Sequence, residues 1–291
     1  MNIAIITGGR GAEKKVSIMS AKNIQELLSI PDKYFFNYPQ DIEKVEKLKS
    51  QIDICIPMIH GLDGEDGHIQ LTLDKMNIPY LFSSPLVHRI ALDKRKTKSI
   101  LSNIGIKSPQ EFDDVKDIKG AVFVKPINGG SSLLNIKTSS INEIQDFFRK
   151  HKNNNFIIEE SLEGREFSVG VIETSSGVKA LPVVEIKTKR DFFDYESKYN
   201  EEELAQEICP ANISQELRNN LKGLALSAHK EIGCKHLSRS DFIVTNSDIY
   251  FLEINTIPGM TKTSLILKEL EAEDIPLKEL FLYWIHQDKF K

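Results

Sequence analysis

Three polar side chains near the end of a C-terminal hairpin have the types and spacing of a metal site. Glu253 and Asn255 are two residues apart in a strand-like segment, so they share one face. A three-residue turn over 246–248 would place Asp241 directly opposite Glu253. Two carboxylates and an amide oxygen are hard ligands that suit Mg²⁺ bound to nucleotide phosphates. The pattern favours a metal site over its simpler alternative, three solvent-facing polar residues on a sheet.

A lysine at the end of another apolar run opens a loop suited to phosphate. Lys125 follows the strand-like residues 122–124 and precedes a Gly/Ser-rich stretch at 129–132. Backbone N–H groups of such a loop can surround phosphate oxygens while the ammonium group neutralises their charge. The Walker A pattern G-x-x-x-x-G-K-[ST] does not occur in the chain. An ordinary hairpin turn is the alternative interpretation.

Two further loops are relevant to nucleotide binding. The apolar run that starts at residue 157 ends in acidic residues just before a loop over 163–166. A strand edge of this kind can offer backbone groups to an adenine ring and a carboxylate to ribose hydroxyls. The glycines at residues 8–11 do not complete the dinucleotide pattern G-x-G-x-x-G, because Lys14 occupies its third glycine position. A dinucleotide fold is therefore excluded.

In the first half of the chain, sequence patterns typical of strands alternate with patterns typical of helices. Apolar runs at 2–7 and 52–58 predict buried strands, and helical spacing predicts a helix over 13–29. This order indicates a parallel sheet with function at the strand ends. Ser84 followed by Pro85 predicts a helix start. A basic helix over 93–103, strands at 121–125, 133–137, 156–160 and 167–172, and a helix at 141–150 predict a following α+β region.

In the second half of the chain, the sequence patterns predict a long helix, the hairpin and a mobile loop. Apolar residues at helical spacing after Ser214 predict a helix that ends at Gly233. The hairpin strands are predicted at 241–245 and 249–255. The polar segment 187–206 has no clean period and is predicted to be a loop.

Composition excludes several classes of function. The 291 residues include 38 Lys+Arg and 42 Asp+Glu, a net charge of −4, so no basic excess favours nucleic acid or anionic lipid. Three cysteines without C-x-x-C spacing disfavour a disulfide framework and a zinc cluster. The first residues lack a secretory signal pattern, and no apolar stretch is long enough to span a bilayer. We therefore expect a cytoplasmic protein.

Three longer motifs resemble the ATP-grasp superfamily and, within it, the D-alanine–D-alanine ligase family. They are His60-Gly-x-x-Gly-Glu-Asp-Gly67, Phe193-Asp-Tyr-Glu-x-Lys-Tyr199 and Glu253-x-Asn-x-x-Pro-Gly-Met-Thr261, in the order of the family. The resemblance extends from Gly8 to about Leu267. It implies an α/β and α+β chain of three-domain ATP-grasp architecture with an N-terminal parallel sheet. The implied domains are an α/β substrate domain (1–84), a central ATP-grasp domain (85–166) and a C-terminal ATP-grasp domain with the metal site and a lid (167–291, lid 187–206).

The resemblance also implies roles for individual residues. ATP would be bound by Lys94, Lys125, Glu159, Ser161, Leu162, Glu166 and Lys198. Two Mg²⁺ ions, with Mn²⁺ as an alternative, would be held by Asp241, Glu253 and Asn255. The amino-acid substrate would contact Glu13, Val16, His60, Arg239, Gly259, Ser264 and Leu265. The catalytic group would be Glu13, Ser131, Tyr199, Arg239 and Gly259.

The activity implied by the resemblance is the ATP-dependent joining of two D-alanine molecules for peptidoglycan precursors. ATP would convert one carboxylate into an acyl phosphate, and the second amine would displace phosphate from it. Arg239 and the Gly259 N–H would stabilise the oxyanion, and Glu13, Ser131 and Tyr199 would take the proton of the amine. The implied partners are D-alanine, ATP and a second copy of the chain bound through the N-terminal domain, with no nucleic acid and no membrane.

Two other functions stay open at this stage. Gly129 stands where the family commonly has an acid, and Ile257 where it has a small polar residue. These departures motivate a ligase with another amino-acid partner, such as D-serine or an L-amino acid. A nucleotide-binding regulator that has lost turnover is the alternative from a different class.

Overall fold

The computed structural model describes residues 1–129, 134–152, 155–187 and 206–289. Its strands form three sheets, of three, three and six strands in the described residues, and helices cover their faces. Within the same residues, no helix is both long and apolar enough to cross a membrane.

The N-terminal sheet is parallel, with the strand order β2-β1-β3. Its elements are β1 (Ile3–Gly8), α1 (Lys14–Leu28), β2 (Phe35–Tyr38), α2 (Ile42–Leu48), β3 (Ile54–Met58) and α3 (His68–Met76). The apolar run of β1 is buried because neighbouring elements cover both of its faces. Since parallel strands end at one edge, the loop of Gly8 and the loop of His60 lie on the same side of the sheet.

The second sheet is antiparallel and small, with the strand order β5-β4-β6. Its elements are β4 (Val122–Pro126), β5 (Ile136–Thr138), α6 (Ile141–Lys150) and β6 (Phe156–Glu160). Ile144 of α6 packs with Val122, Val124 and Ile158 to form its core. This sheet positions Lys125 near the end of β4 and Glu159 on the neighbouring strand.

The third sheet is antiparallel, with the order β10-β9-β7-β11-β12 and β8 paired to β7. Its strands are β7 (Arg165–Thr174), β8 (Gly177–Ala180), β9 (Val184–Lys187), β10 (Gln206–Ile208), β11 (Leu237–Val244) and β12 (Ile249–Asn255). The remaining helices are α4 (Pro85–Leu92), α5 (Lys94–Ser102), α7 (Gln215–Ile232), α8 (Leu265–Glu271) and α9 (Leu277–Asp288).

Helices α4 and α5 pack against α7 and β12 of the third sheet. Ala91 and Leu101 belong to the same buried cluster as Phe167 and Phe242. The sequence assigned these helices to a central domain that starts at residue 85. That boundary and the one at residue 166 remain predictions, and the helices themselves join the core of the third sheet.

Most of the predicted elements are present within one or two residues of their expected bounds. Ser84 accepts a hydrogen bond from the Val87 N–H with Pro85 in the first turn of α4, and Gly233 ends α7 in the left-handed region. β7 is longer than predicted, and the strand expected at 241–245 is Leu237–Val244. The strand expected at 133–137 is Ile136–Thr138, with residue 133 outside the described part. Residues 188–205 of the predicted lid also lie outside it.

The turn of the hairpin was predicted wrongly. Val244 pairs with Ile249, so the turn has four residues rather than three. A β-bulge between Asp241 and Phe242 then shifts the register by one residue, which leaves Leu252 as the extra residue. Asp241 consequently lies opposite Glu253, as predicted, but because of the bulge and not because of the turn length.

Candidate active site

A cavity of about 890 Å³ opens where the three sheets meet. Every described residue that the sequence assigned to ATP, metal or substrate lines it. These are Glu13, Val16, His60, Lys94, Lys125, Glu159, Ser161, Leu162, Glu166, Arg239, Asp241, Glu253, Asn255, Gly259, Ser264 and Leu265. The other three, Ser131, Lys198 and Tyr199, lie outside the described residues.

The predicted metal ligands are brought together on β11 and β12. Asp241 pairs across the hairpin with Glu253, and Asn255 Nδ2 lies 3.4 Å from Asp241 Oδ2. Ser168 of β7 donates its hydroxyl to Asp241 Oδ1 at 2.6 Å, which fixes that carboxylate. In the described part of the chain, no three His, Cys, Asp or Glu side chains form a metal-holding group. The predicted set of Asp241, Glu253 and the Asn255 amide supplies oxygen donors, which are the ligands that a hard divalent cation prefers.

Basic residues surround the two carboxylates. Lys94, the first residue of α5, lies 3.0 Å from Glu253 Oε2, and Arg239 Nη2 lies 2.9 Å from Asp241 Oδ2. Burial alone would raise the pKa of Glu253, but the charges of Lys94 and Lys125 outweigh burial and lower it to about 2. Burial likewise opposes the charge of Arg239, yet Asp241 raises the pKa of its guanidinium. Glu253 and Arg239 are therefore charged at neutral pH.

A buried group of two lysines and one glutamate lies beside this centre. The Lys125 ammonium is 2.8 Å from Glu159 Oε2, and Lys98 donates to Glu159 Oε1. Burial would raise the pKa of Glu159, but Lys125 and Lys98 lower it below its usual range. Both carboxylate oxygens of Glu159 are thus occupied by lysines. Glu159 also lines the cavity, and its assignment to ATP stays a prediction.

The backbone that follows Glu159 is suited to an adenine edge. Phe123 lies opposite Glu159 on β4, and the Ser161 N–H donates to the Ala121 carbonyl. Because backbone groups alternate in an antiparallel ladder, the Glu160 carbonyl points away from β4. Glu160 and Leu162 both line the cavity. A carbonyl acceptor and an amide donor two residues apart can pair with the amino group and ring nitrogen of adenine.

The loop of Gly259 is held by residues of the loop after β3 and of helix α1, next to the N-terminal sheet. His60 Nδ1 lies 2.8 Å from the Ile257 carbonyl, and Glu65 Oε1 accepts the Ile257 N–H at 3.3 Å. His60 Nε2 lies 3.0 Å from Ser20 Oγ. Burial lowers the pKa of His60 to about 4, so the ring is neutral. Both ring nitrogens already have partners, which makes His60 a support for the loop.

Comparisons with known proteins agree along the whole chain. The family model described as D-ala D-ala ligase C-terminus matches residues 104–285. The D-alanine–D-alanine ligase of Pelagibacter ubique is 33% identical over 300 residues, covering 98% of this chain and 97% of that protein. The corresponding ligase of Clostridium beijerinckii is 35% identical over 307 residues, covering 100% and 99%. The chain belongs to the D-alanine–D-alanine ligase family.

The fold agrees with this membership. The crystal structure of the D-alanine–D-alanine ligase from Bacillus anthracis complexed with ATP is 26% identical and has a TM-score of 0.81. The match covers 100% of this chain and 97% of that one. The mixed α/β and α+β chain with its N-terminal parallel sheet is therefore an ATP-grasp fold, as the motifs implied.

Sequence reasoning missed two buried residues of this family site. Glu65 is part of the motif that begins at His60, but no role was assigned to it. It also accepts the Gly61 N–H at 2.8 Å, and burial together with Glu13 raises its pKa to about 7. Lys98 was hidden among the basic residues of α5. Its spacing of four residues from Lys94 is the signal that could have identified it.

Proposed function

We propose that the chain joins two D-alanine molecules into D-alanyl-D-alanine and releases ADP and phosphate. The observation that carries this proposal is that one cavity is lined by cationic side chains together with the side chains predicted to bind a metal and the amino acid. Full-length relatives that are 33% and 35% identical are D-alanine–D-alanine ligases, which supports D-alanine as the substrate.

Lys94, Lys125 and the hairpin would bind and activate ATP. The Glu160 carbonyl and the Leu162 N–H would hold adenine, and Glu166, which lines the cavity, would contact ribose. Asp241, Glu253 and Asn255 would hold Mg²⁺, which neutralises phosphate charge when it is bound. We propose two ions, with Mn²⁺ as a substitute. Phosphoryl transfer depends mainly on positioning and charge neutralisation, which these groups supply.

Arg239 and Gly259 would stabilise the later step. The carboxylate oxygen of the first D-alanine bonds to the γ-phosphorus, and ADP leaves. The amine of the second D-alanine then attacks the carbonyl carbon and expels phosphate. This attack forms a tetrahedral intermediate with an oxyanion. Arg239 and Gly259 line the cavity, and the guanidinium and the Gly259 N–H can donate to that oxyanion. Glu13 would bind the first amine. We propose that Glu13, Ser131 and Tyr199 together accept the proton that the attacking amine loses.

Three features of the setting complete the proposal. Segment 187–206 would close over the cavity and exclude water, because water hydrolyses acyl phosphates. Two copies of the chain would associate through the N-terminal domain. The reaction would supply peptidoglycan precursors in the cytoplasm.

A substrate panel tests the proposal against its alternatives. ADP release is measured with Mg-ATP and D-alanine, L-alanine, D-serine, or D-lactate plus D-alanine, and products are identified by mass. We expect turnover with D-alanine alone and a D-alanyl-D-alanine product. Turnover only with another substrate of the panel would change the assigned substrate from D-alanine to that compound. Binding of ATP without turnover on any substrate would favour the regulator.

A further inference from the structure

Lys98 is a buried lysine that contacts Glu159, one of the residues predicted to bind ATP. Its side chain is 9% exposed, and the Glu159 side chain that it contacts is 2% exposed. Lys94, Lys125 and Glu159 line the cavity, whereas Lys98 is not among the described lining residues. Lys98 therefore acts on the cavity through the lining residues that it faces, and its ion pair is with Glu159.

Helix α5 carries two lysines, four residues apart, that contact carboxylates of two different sheets. The backbone N–H of Lys94, at the start of the helix, donates to the Ile127 carbonyl, and the Lys94 side chain contacts Glu253 of the third sheet. Lys98, one turn later, contacts Glu159 of the second sheet. Because α5 packs on the third sheet, Lys98 links that sheet to the strand next to Lys125.

The charges of this group decide what the cavity presents to a phosphate. Glu159 contacts Lys125 through one oxygen and Lys98 through the other. With both lysines charged, the group carries a net positive charge, and Lys125 is the one of the two lysines that lines the cavity. Without the Lys98 charge, Glu159 would neutralise Lys125, and in this low-dielectric setting the loss would be felt strongly.

We propose that Lys98 is a positioning residue for the nucleotide phosphates: it neutralises Glu159, so that the Lys125 ammonium keeps its net charge and direction toward ATP. The inference rests on the proposed ATP-dependent function and assigns one more residue to it. Lys98 itself touches neither nucleotide nor substrate.

Among the described residues, the charged groups that act most strongly on Lys98 are Glu159 on β6, Lys125 on β4 and Lys94 on its own helix. Burial lowers the pKa of Lys98 to about 7, with Lys125 acting in the same direction and Glu159 opposing it. As the pH rises above this value, Lys98 loses its charge. We therefore expect the affinity of the wild-type chain for ATP to fall over that range, whereas a permanently charged arginine at this position would remove the fall.

Calorimetric titration of Mg-ATP without amino acid measures the effect directly. We expect Lys98→Met to weaken ATP binding about tenfold or more, the scale of one lost hydrogen bond to a charged group. Lys98→Arg should bind within about threefold of wild type and show no loss of affinity between about pH 6 and 9. Lys96→Met is the matched control, because Lys96 lies on the same helix, is 69% exposed and pairs only locally with Asp93.

A double variant separates charge balance from general damage. In Lys98→Met with Glu159→Gln, the buried carboxylate is absent and no counter-charge is needed. We expect this double variant to bind Mg-ATP more tightly than Lys98→Met alone. A double variant that binds no better, or a Lys98→Met protein that binds like wild type, would overturn the inference. If the wild-type chain itself does not bind Mg-ATP, the proposed function fails instead.

Discussion

Glu253 is the residue on which the charges of the site converge. It pairs with Asp241 across the hairpin and lies 3.0 Å from Lys94. Because Lys94 and Lys125 lower its pKa to about 2 against the effect of burial, it stays ionised throughout the neutral range. A permanent carboxylate here can serve a divalent cation at any working pH.

The substitution Glu253→Gln should therefore abolish most of the activity. It would remove one of the proposed anionic metal ligands and the carboxylate that contacts Lys94. We expect kcat/KM for D-alanine to fall by about 100-fold or more, with a higher Mg²⁺ requirement, measured as ADP release against Mg²⁺ concentration. Asp248→Asn, in the turn of the same hairpin, is the control and should keep normal activity. Equal activity of Glu253→Gln and wild type would remove Glu253 from the metal site.

Helix α1 supports the Gly259 loop across a sheet boundary. Ser20 Oγ accepts the Met260 N–H at 3.0 Å, and Asn23 Nδ2 donates to the Met260 carbonyl at 2.8 Å. Together with His60 and the Glu65 contact to Ile257, these bonds hold the loop from the N-terminal side. The residues on both sides of Gly259 are thus held by α1 and the loop after β3 as well as by β12.

We expect Asn23→Ala to act on the amino-acid step and to spare ATP binding. A small displacement of an oxyanion donor is costly, so kcat should fall about tenfold. Calorimetry should give an unchanged affinity for Mg-ATP. Lys22→Ala, at an exposed position on the same helix, is the matched control. Weaker ATP binding in Asn23→Ala would show that the helix acts on the whole cavity and not on this loop.

The C-terminal helix α9 is anchored by one buried carboxylate. Asp288 accepts from Lys235, lies 3.1 Å from His236 Nε2 and is 3% exposed. The neighbouring Trp284 stacks on His236 and donates its indole N–H to the Glu173 carbonyl at 2.8 Å. Burial would raise the pKa of Asp288, but His236 and Lys235 lower it below its usual range.

Asp288→Asn should therefore destabilise the protein in a pH-dependent way. A carboxyl whose pKa is lower in the folded state contributes its full stability above its unfolded pKa near 4 and loses it as the pH falls. We expect a loss of about 2 kcal/mol at pH 7 in urea unfolding. The difference between variant and wild type should shrink as the pH falls below about 4. A difference that stays constant with pH would rule out the ionised carboxylate as its cause.

At the scale of the whole molecule, periodicity and motifs predicted most of the strands and helices that carry the site. Buried apolar runs such as β3 and the capped helix after Ser84 depend on local signals, so they are visible in sequence. The four-residue turn and the bulge at Leu252 are not, because a bulge depends on what both strands must bury. For Lys98, only the four-residue spacing from Lys94 was visible, since the approach of β6 to α5 is what turns one basic helix residue into a buried one.

The cavity itself is a property of three sheets and could be inferred only through the family motifs. Composition gave no reason to expect residues as distant as Glu13 and Gly259 to meet. Residues that local patterns assigned to separate functions line one space, which is what a reaction between a nucleotide and two amino acids requires.

Isotope transfer from D-alanine to phosphate tests the central claim most directly. The protein is incubated with Mg-ATP and D-alanine that carries ¹⁸O in its carboxylate, and the released phosphate is analysed by mass. Since the carboxylate oxygen bonds to the γ-phosphorus and leaves with it, we predict one ¹⁸O atom in each phosphate formed, together with D-alanyl-D-alanine. Unlabelled phosphate, or ADP release without dipeptide, would contradict ligation through an acyl phosphate in this cavity.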